Sequence, residues 1–294
     1  MLAIKQLSKQ FGTKKVLNQI DFSVQPGRIV GLLGKNGAGK TTIFHSILNF
    51  IQYQGQIVWD DHQLTERDYD RIGYLPEERS LMTKLTVAQQ VIYLANLKGM
   101  RTKVVKKILP DWLTALQVKG GAADKIASLS KGNQQKIQLI CTLIHQPDLI
   151  ILDEPFSGLD PLNTALLRNI ILREKKRGAM ILFSDHNMNN VENICDDIVL
   201  INQGQVRLKG EMTQIREQYG STRIIVETPL KAAVLKSLPH VRSVTPIRNR
   251  YRLIIEDEKY GPEIFAAVSG GQYIKAFDQQ PPTLTDIFKQ EVGQ

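Results

Sequence analysis

The chain has 294 residues, 42% apolar and 23% charged, enough to bury a core in one large domain or two of ordinary size. No apolar run approaches the ~18 residues that cross a bilayer, and residues 1–6 lack a signal-peptide core, so a cytosolic chain is expected. The net charge of +9 divides as +7 over residues 1–220 and +2 over 221–294; that spread, without aromatic-basic interleaving, argues against a dedicated nucleic-acid site. Cys141 and Cys195 have neither metal-ligand nor redox spacing and read as reduced, packed thiols.

In chain order, Ile4 and Leu7, then Ile20, Phe22 and Val24, alternate as antiparallel strands around a loop at 9–13, before a turn at Gln25-Pro26-Gly27. Residues 28–33 read as a short buried strand, and a helix follows to about residue 50. Residues 56–59 form a strand with Asp60-Asp61 as its turn. A strand at 71–75 is closed by Pro76-Glu77-Glu78. Thr86 and Gln89 form a T-x-x-Q capping box that opens a helix through Leu97. A further helix spans 102–116, broken or restarted at Pro110. The stretch 80–146 thus reads as a helical subdomain inserted between two halves of a parallel α/β core. Strands at 148–153 and 179–184, separated by a helix at 162–177, make a βαβ unit, and 198–201 with 205–208 a closing hairpin. After Tyr219-Gly220-Ser221 the order is strand 222–228, helix 230–238, strand 241–247, strand 250–256, helix 261–269, strand 272–278 and helix 284–291. Its first six elements spell βαββαβ, the ferredoxin-like order.

The stretch Gly34, Lys35, Asn36, Gly37, Ala38, Gly39, Lys40, Thr41, Thr42 matches the phosphate-loop pattern G-x-x-x-x-G-K-[ST] between a strand and a helix. The glycines let backbone N–H groups turn inward to the helix N-terminus, which favours polyphosphate. Lys40 is expected to reach the β- and γ-phosphates and Thr41 to ligate Mg²⁺. Asp153 and Glu154 end the strand at 148–153, where open α/β sheets bind ligands. Asp153 is positioned to hold Mg²⁺ opposite Thr41, and Glu154 to orient or deprotonate the attacking water.

Ser130, Lys131, Gly132, Asn133 and Gln134 follow Leu129 and open an apolar-periodic helix whose N-terminus is a second anion site. This stretch resembles the signature Leu-Ser-Gly-Gly-Gln of ATP-binding cassette (ABC) ATPases, with Lys131 and Asn133 replacing Gly and Gln. The resemblance covers residues 1 to about 220. It implies an α/β P-loop NTPase cassette: a parallel core sheet, antiparallel N-terminal strands and the inserted helical subdomain. Residues 221–294 then form a small α+β ferredoxin-like C-terminal domain. In that family the signature helix contacts the γ-phosphate of ATP held by the opposite subunit, so ATP closes a dimer with a second copy or a paralogue, and hydrolysis weakens it.

Other positions follow from the same resemblance. Phe11 is similar to the aromatic that stacks on adenine, the competing view being an apolar loop residue. Asp160, ending Ser157-Gly158-Leu159-Asp160, resembles the D-loop residue at the dimer interface. His186 stands where the switch histidine contacts the γ-phosphate. Glu77 replaces the usual Gln after Tyr-x-Pro and is expected to contact metal or its water. Residues 75–79, 93–99 and 282–288 resemble the bacterial exporter branch that includes sodium-efflux and drug-resistance ATPases. The implied protein is an ATP- and Mg²⁺-dependent ATPase on the inner face of the membrane, driving a separate integral-membrane permease whose cytoplasmic helix docks near residues 77–100. The alternative is a soluble ABC ATPase acting on ribosomes or DNA. A P-loop kinase or GTPase is disfavoured by residues 129–135.

Overall fold

A computed structural model describes residues 1–78 and 80–293; Arg79, within the 75–79 resemblance, and Gln294, the last residue of the expected C-terminal domain, lie outside the described residues. The chain forms two compact units, Met1–Lys209 and Gly210–Gln294.

In the first unit, β1 (Leu2–Phe11) pairs antiparallel with β2 (Lys14–Val24). The loop expected at 9–13 is mostly strand, because Lys9, Gln10 and Phe11 pair with Leu17, Lys15 and Lys14 and leave only Gly12-Thr13 to turn. β3 (Ile29–Leu33), buried at every residue, leads through the glycine loop into α1 (Lys40–Ile47). α1 stops short of residue 50 because Asn49 takes a left-handed φ of 56°. β4 (Gln54–Trp59) pairs with β1 and turns through Asp60-Asp61 into β5 (His62–Gln63). The φ values of 45° and 70° at these aspartates give the hairpin turn whose twist suits the strands.

After β6 (Ile72–Leu75) comes the helical segment, α2 (Val87–Leu97), α3 (Thr102–Ala115) and α4 (Lys131–Leu143). The capping box is present: the Gln89 N–H donates to Thr86 Oγ1 at 3.2 Å, and the Thr86 N–H donates to Gln89 Oε1 at 2.9 Å. α3 passes unbroken through Pro110, against the expected break. One missing N–H is tolerated there because Val105 and Leu109 bury the inner face.

The core then closes with β7 (Leu149–Asp153), α5 (Pro161–Arg177), β8 (Met180–Ser184), α6 (Met188–Ile194), β9 (Asp197–Asn202) and β10 (Gln205–Glu211). The short α6, absent from the sequence reading, starts at an N-cap in which Asn187 Oδ1 accepts from the Asn189 N–H. Among the described residues the sheet order is β10-β9-β3-β8-β7-β6, parallel from β9 to β6. α1 and both sheets share one core, in which Phe44, Trp59, Ile151 and Leu182 are buried together. Each such side chain contributes roughly 1.5–3 kcal/mol on burial. The carboxyl ends of β3, β7 and β8 therefore sit side by side, a topology that sets up the site below.

The second unit contains α7 (Met212–Gln218), β11 (Arg223–Glu227), α8 (Ala232–Lys236), β12 (Val241–Ile247), β13 (Arg250–Ile255), α9 (Gly261–Ser269), β14 (Ala276–Gln280) and α10 (Leu284–Val292). Its antiparallel sheet has the order β12-β13-β11-β14, the ferredoxin-like arrangement. Ile224, Val226, Leu253 and Ile255 pack on one face with Leu235, Ile264 and Val268. β14 starts later than residue 272 because Gly270 and Gly271, both at positive φ, carry the chain out of α9. The unit also begins ahead of residue 221. α7 belongs to it: Arg216 Nε donates to the Pro282 carbonyl at 3.0 Å, and the Tyr219 hydroxyl donates to Glu291 Oε1 at 2.7 Å.

Candidate nucleotide site

The glycine loop joins β3 to α1, and its shape excludes side chains at two points. A Cβ on Gly34 would lie 2.7 Å from the Ile201 carbonyl oxygen, and one on Gly39, at φ 112°, 2.5 Å from Leu17 Cδ2. Gly39 is the N-cap of α1 and supplies no side-chain acceptor, so the first-turn N–H groups are left for an anion. Lys40 Nζ donates to the Gly34 carbonyl at 2.9 Å, which folds the ammonium back over the loop.

Asp153 arrives at the same place on the end of β7. Its buried carboxylate accepts from Thr41 Oγ1 at 3.1 Å and from Ser184 Oγ at 2.6 Å. A hydroxyl and a carboxylate side by side are the hard oxygen donors that Mg²⁺ prefers, so Thr41 and Asp153 fit that ion. Glu154 takes a left-handed φ of 52°, and its N–H donates to the Ser184 carbonyl at 3.1 Å. That turn directs the carboxylate to His186, with Oε2 2.7 Å from Nδ1 and 3.3 Å from the His186 N–H nitrogen. The Glu154 side chain is buried while the His186 ring is 71% exposed.

Burial, and after it the charge of Asp185, raise the Glu154 carboxyl above the ordinary glutamate range, against the lowering effect of His186. Asp185 is raised too, by burial, although it accepts from the Asn187 N–H and Asn190 Nδ2, both at 2.7 Å. A raised carboxyl keeps its proton to higher pH, so a reaction that needs ionised Glu154 loses rate on the acid side earlier than an ordinary glutamate would dictate. Asp185→Asn removes one raising charge; the acid limb of single-turnover ATP hydrolysis should move to lower pH, and an unmoved limb contradicts this coupling.

A cavity of about 660 Å³ gathers Asn36, Gly37, Gly39, Lys40, Thr41 and Thr42 with Glu77, Asp153, Glu154 and His186. Lys14 and Val16 of β2 also line it. Neither carried a sequence signal, since only the β1–β2 hairpin brings them there. Asp185 and Ser184 were legible only as neighbours of His186.

Other expected residues lie elsewhere. Gly34, Lys35 and Ala38 shape the loop without lining the cavity, and Phe11 is 49% exposed beneath Lys9 Nζ, 4.7 Å from its ring centroid. Ser130 is the N-cap of α4, and Ser130 and Lys131 are exposed while Gly132 is half-buried. Asn133 and Gln134 are turned into their own subdomain. Asn133 Nδ2 donates to Ser130 Oγ at 3.1 Å and its Oδ1 accepts from the Lys119 N–H at 3.1 Å; Gln134 Nε2 donates to the Ile126 and Leu129 carbonyls. Asp160 caps α5, accepting from the Asn163 N–H at 2.9 Å, which holds its carboxyl below the usual range. None of the signature residues lines the cavity.

The chain is similar to known proteins. Residues 17–157 match the family model described as ABC transporter, and residues 210–292 match that of the C-terminal domain of DrrA1-3-like ATP-binding proteins. The uncharacterized ABC transporter ATP-binding protein YhaQ of Bacillus subtilis is 38% identical over 100% of this chain and 99% of its own length. The linearmycin resistance ATP-binding protein LnrL of the same species is 30% identical over 83% of this chain and 82% of its own. A solved ATP-binding subunit of an ABC transporter superposes with a TM-score of 0.70 at 32% identity, covering 75% of this chain and 93% of that one. The chain belongs to the ATP-binding proteins of ABC transporters, a family that binds and hydrolyses ATP.

Proposed function

We propose that this chain is the motor subunit of a bacterial exporter, a peripheral protein on the cytoplasmic face of the membrane that drives a separate integral permease. The observation that carries this is the division of the nucleotide site. Lys40, Thr41, Asp153 and Glu154 share one cavity, while Ser130 and Gly132 at the N-terminus of α4 stay outside it. A second cassette, a copy or a paralogue, offers that helix end to the γ-phosphate, so ATP completes the interface and hydrolysis opens it. Thr41 and Asp153 hold Mg²⁺, with Glu77 a further metal or water contact, and His186 senses the γ-phosphate. Asp160 meets the second cassette.

No helix among the described residues is long and apolar enough to cross a membrane. A groove of about 290 Å³ suits a docked permease helix, with Phe50, Tyr74, Leu81, Leu94 and Leu97 among its walls. Burial pushes the His145 imidazole in this groove down to about 4, leaving it neutral, and Lys98 donates to the Tyr69 carbonyl. Largely apolar walls, with Lys98 the one lysine or arginine among the described lining residues, fit an amphipathic helix. The resistance function in the name of LnrL favours export.

The test is purification of the full chain from membranes, with identification of the membrane protein that accompanies it. Leu97→Asp, at a residue 59% exposed on the groove, should abolish that association and leave ATP binding intact. Recovery with ribosomes, or salt-sensitive nucleic-acid binding, in place of a membrane partner would overturn the motor reading.

A further inference from the structure

Glu77 reaches the cavity on the segment that leaves β6 after Leu75. Among the described residues, no backbone–backbone hydrogen bond outside the strands involves residues 76–78. Pro76 has no N–H to offer. Among the described residues, the carbonyls of this segment are met by the side chain of Gln138 on α4, whose Nε2 donates to the Pro76 carbonyl and to the Glu78 carbonyl, each at 3.3 Å. These carbonyls belong to the residues before and after Glu77, so a single amide ties the backbone on both sides of it to α4.

The orientation of that amide is chemically determined. Both partners are carbonyl oxygens, so the NH₂ must face them. Its Oε1 is then left buried without a hydrogen-bond partner among the described residues, and Gln138 is only 3% exposed. An unpaired buried acceptor is unfavourable, and a residue kept for packing alone would be better apolar. The same helix face treats the other acid alike. Gln135, one turn earlier, donates from Nε2 to the Pro155 carbonyl at 3.0 Å, next to Glu154.

We infer that Gln138 is a positioning residue for Glu77: α4 sets the direction of this carboxylate from behind, through two carbonyls, without touching the nucleotide. This rests on the reading of Glu77 as a metal or water contact. Outer partners that orient a ligating group cost metal affinity when removed.

The test compares Gln138→Met, which keeps length and volume but removes both donors, with Glu77→Ala and the double variant. Each full chain is loaded with a non-hydrolysable ATP analogue, and Mn²⁺ affinity is read by electron paramagnetic resonance; kcat and KM for ATP are measured in parallel. We expect Gln138→Met to weaken Mn²⁺ binding by roughly 10-fold and to lower kcat, with KM for ATP and the thermal midpoint unchanged. The double variant should be no worse than Glu77→Ala, because both changes remove the same contact. Gln138→Asn, which draws the amide back by one methylene, should act in the same direction with a smaller effect. Mn²⁺ binding weakened by Glu77→Ala but untouched by Gln138→Met overturns the positioning role alone, as do effects that multiply in the double variant. Mn²⁺ binding unchanged in both removes Glu77 from the metal site, and the positioning role with it.

Discussion

Glu154→Gln is expected to bind ATP normally, hydrolyse it roughly 10²- to 10⁴-fold more slowly, and accumulate as an ATP-bound dimer. The substitution keeps the shape of the side chain and leaves the backbone alone. The N–H of residue 154 still donates to the Ser184 carbonyl, so the left-handed turn that directs the side chain persists. What is lost is the capacity to take a proton from water. An amide cannot do so, whereas a buried carboxylate raised by its burial and by Asp185 is a stronger base than an exposed one. On the proposed closure by ATP, the uncleaved γ-phosphate should then keep the two cassettes together. Single-turnover hydrolysis and size-exclusion chromatography with ATP provide the two readouts. Wild-type turnover would remove Glu154 from the role of base, and slow turnover without a dimer would contradict closure by ATP.

Lys40→Ala should have the opposite character, losing binding before chemistry. The ammonium sits within the loop, 2.9 Å from the Gly34 carbonyl, and lines the same cavity as Thr41 and Asp153. A charge-assisted phosphate contact contributes about 1.5–3 kcal/mol, which corresponds to roughly 10- to 100-fold in affinity. Lys40→Met keeps the aliphatic stem, so agreement between the two variants assigns the loss to charge and not to packing. Calorimetric titration with ATP is the measurement, and unchanged affinity in both variants would refute the contact. Glu154→Gln and Lys40→Ala together separate holding the nucleotide from cleaving it.

What the residues specify locally was legible without coordinates. Thr86 and Gln89 cap α2 as their spacing predicts, and all but the first residue of the run at 148–153 form the buried strand β7. The glycine loop lies between β3 and α1, and β11 to β14 assemble in the order that βαββαβ implies. These features depend on neighbours a few residues apart, through dihedral preference, capping and periodicity. A local rule gives way where it meets a tertiary contact: Pro110 does not break α3, because packing outweighs one lost hydrogen bond.

The tertiary structure alone decided which distant groups share the site and which do not. Asp153 meets Thr41 and Ser184 because β3, β8 and β7 lie in that order, a fact of sheet topology that no stretch of sequence encodes. The same folding brings Lys14 and Val16 into the cavity, leaves Phe11 outside it, and commits the amides of Asn133 and Gln134 to their own subdomain. Gln138 carries no signal in the sequence, being one more residue in an apolar-periodic helix; only the packing of α4 behind the 76–78 segment gives its amide two carbonyls to hold. Motif spacing fixes what each residue can do chemically, while the crossing of the chain fixes what it does it to, since hydrogen bonds and ion contacts act over about 3 Å and sequence separation carries no such distance.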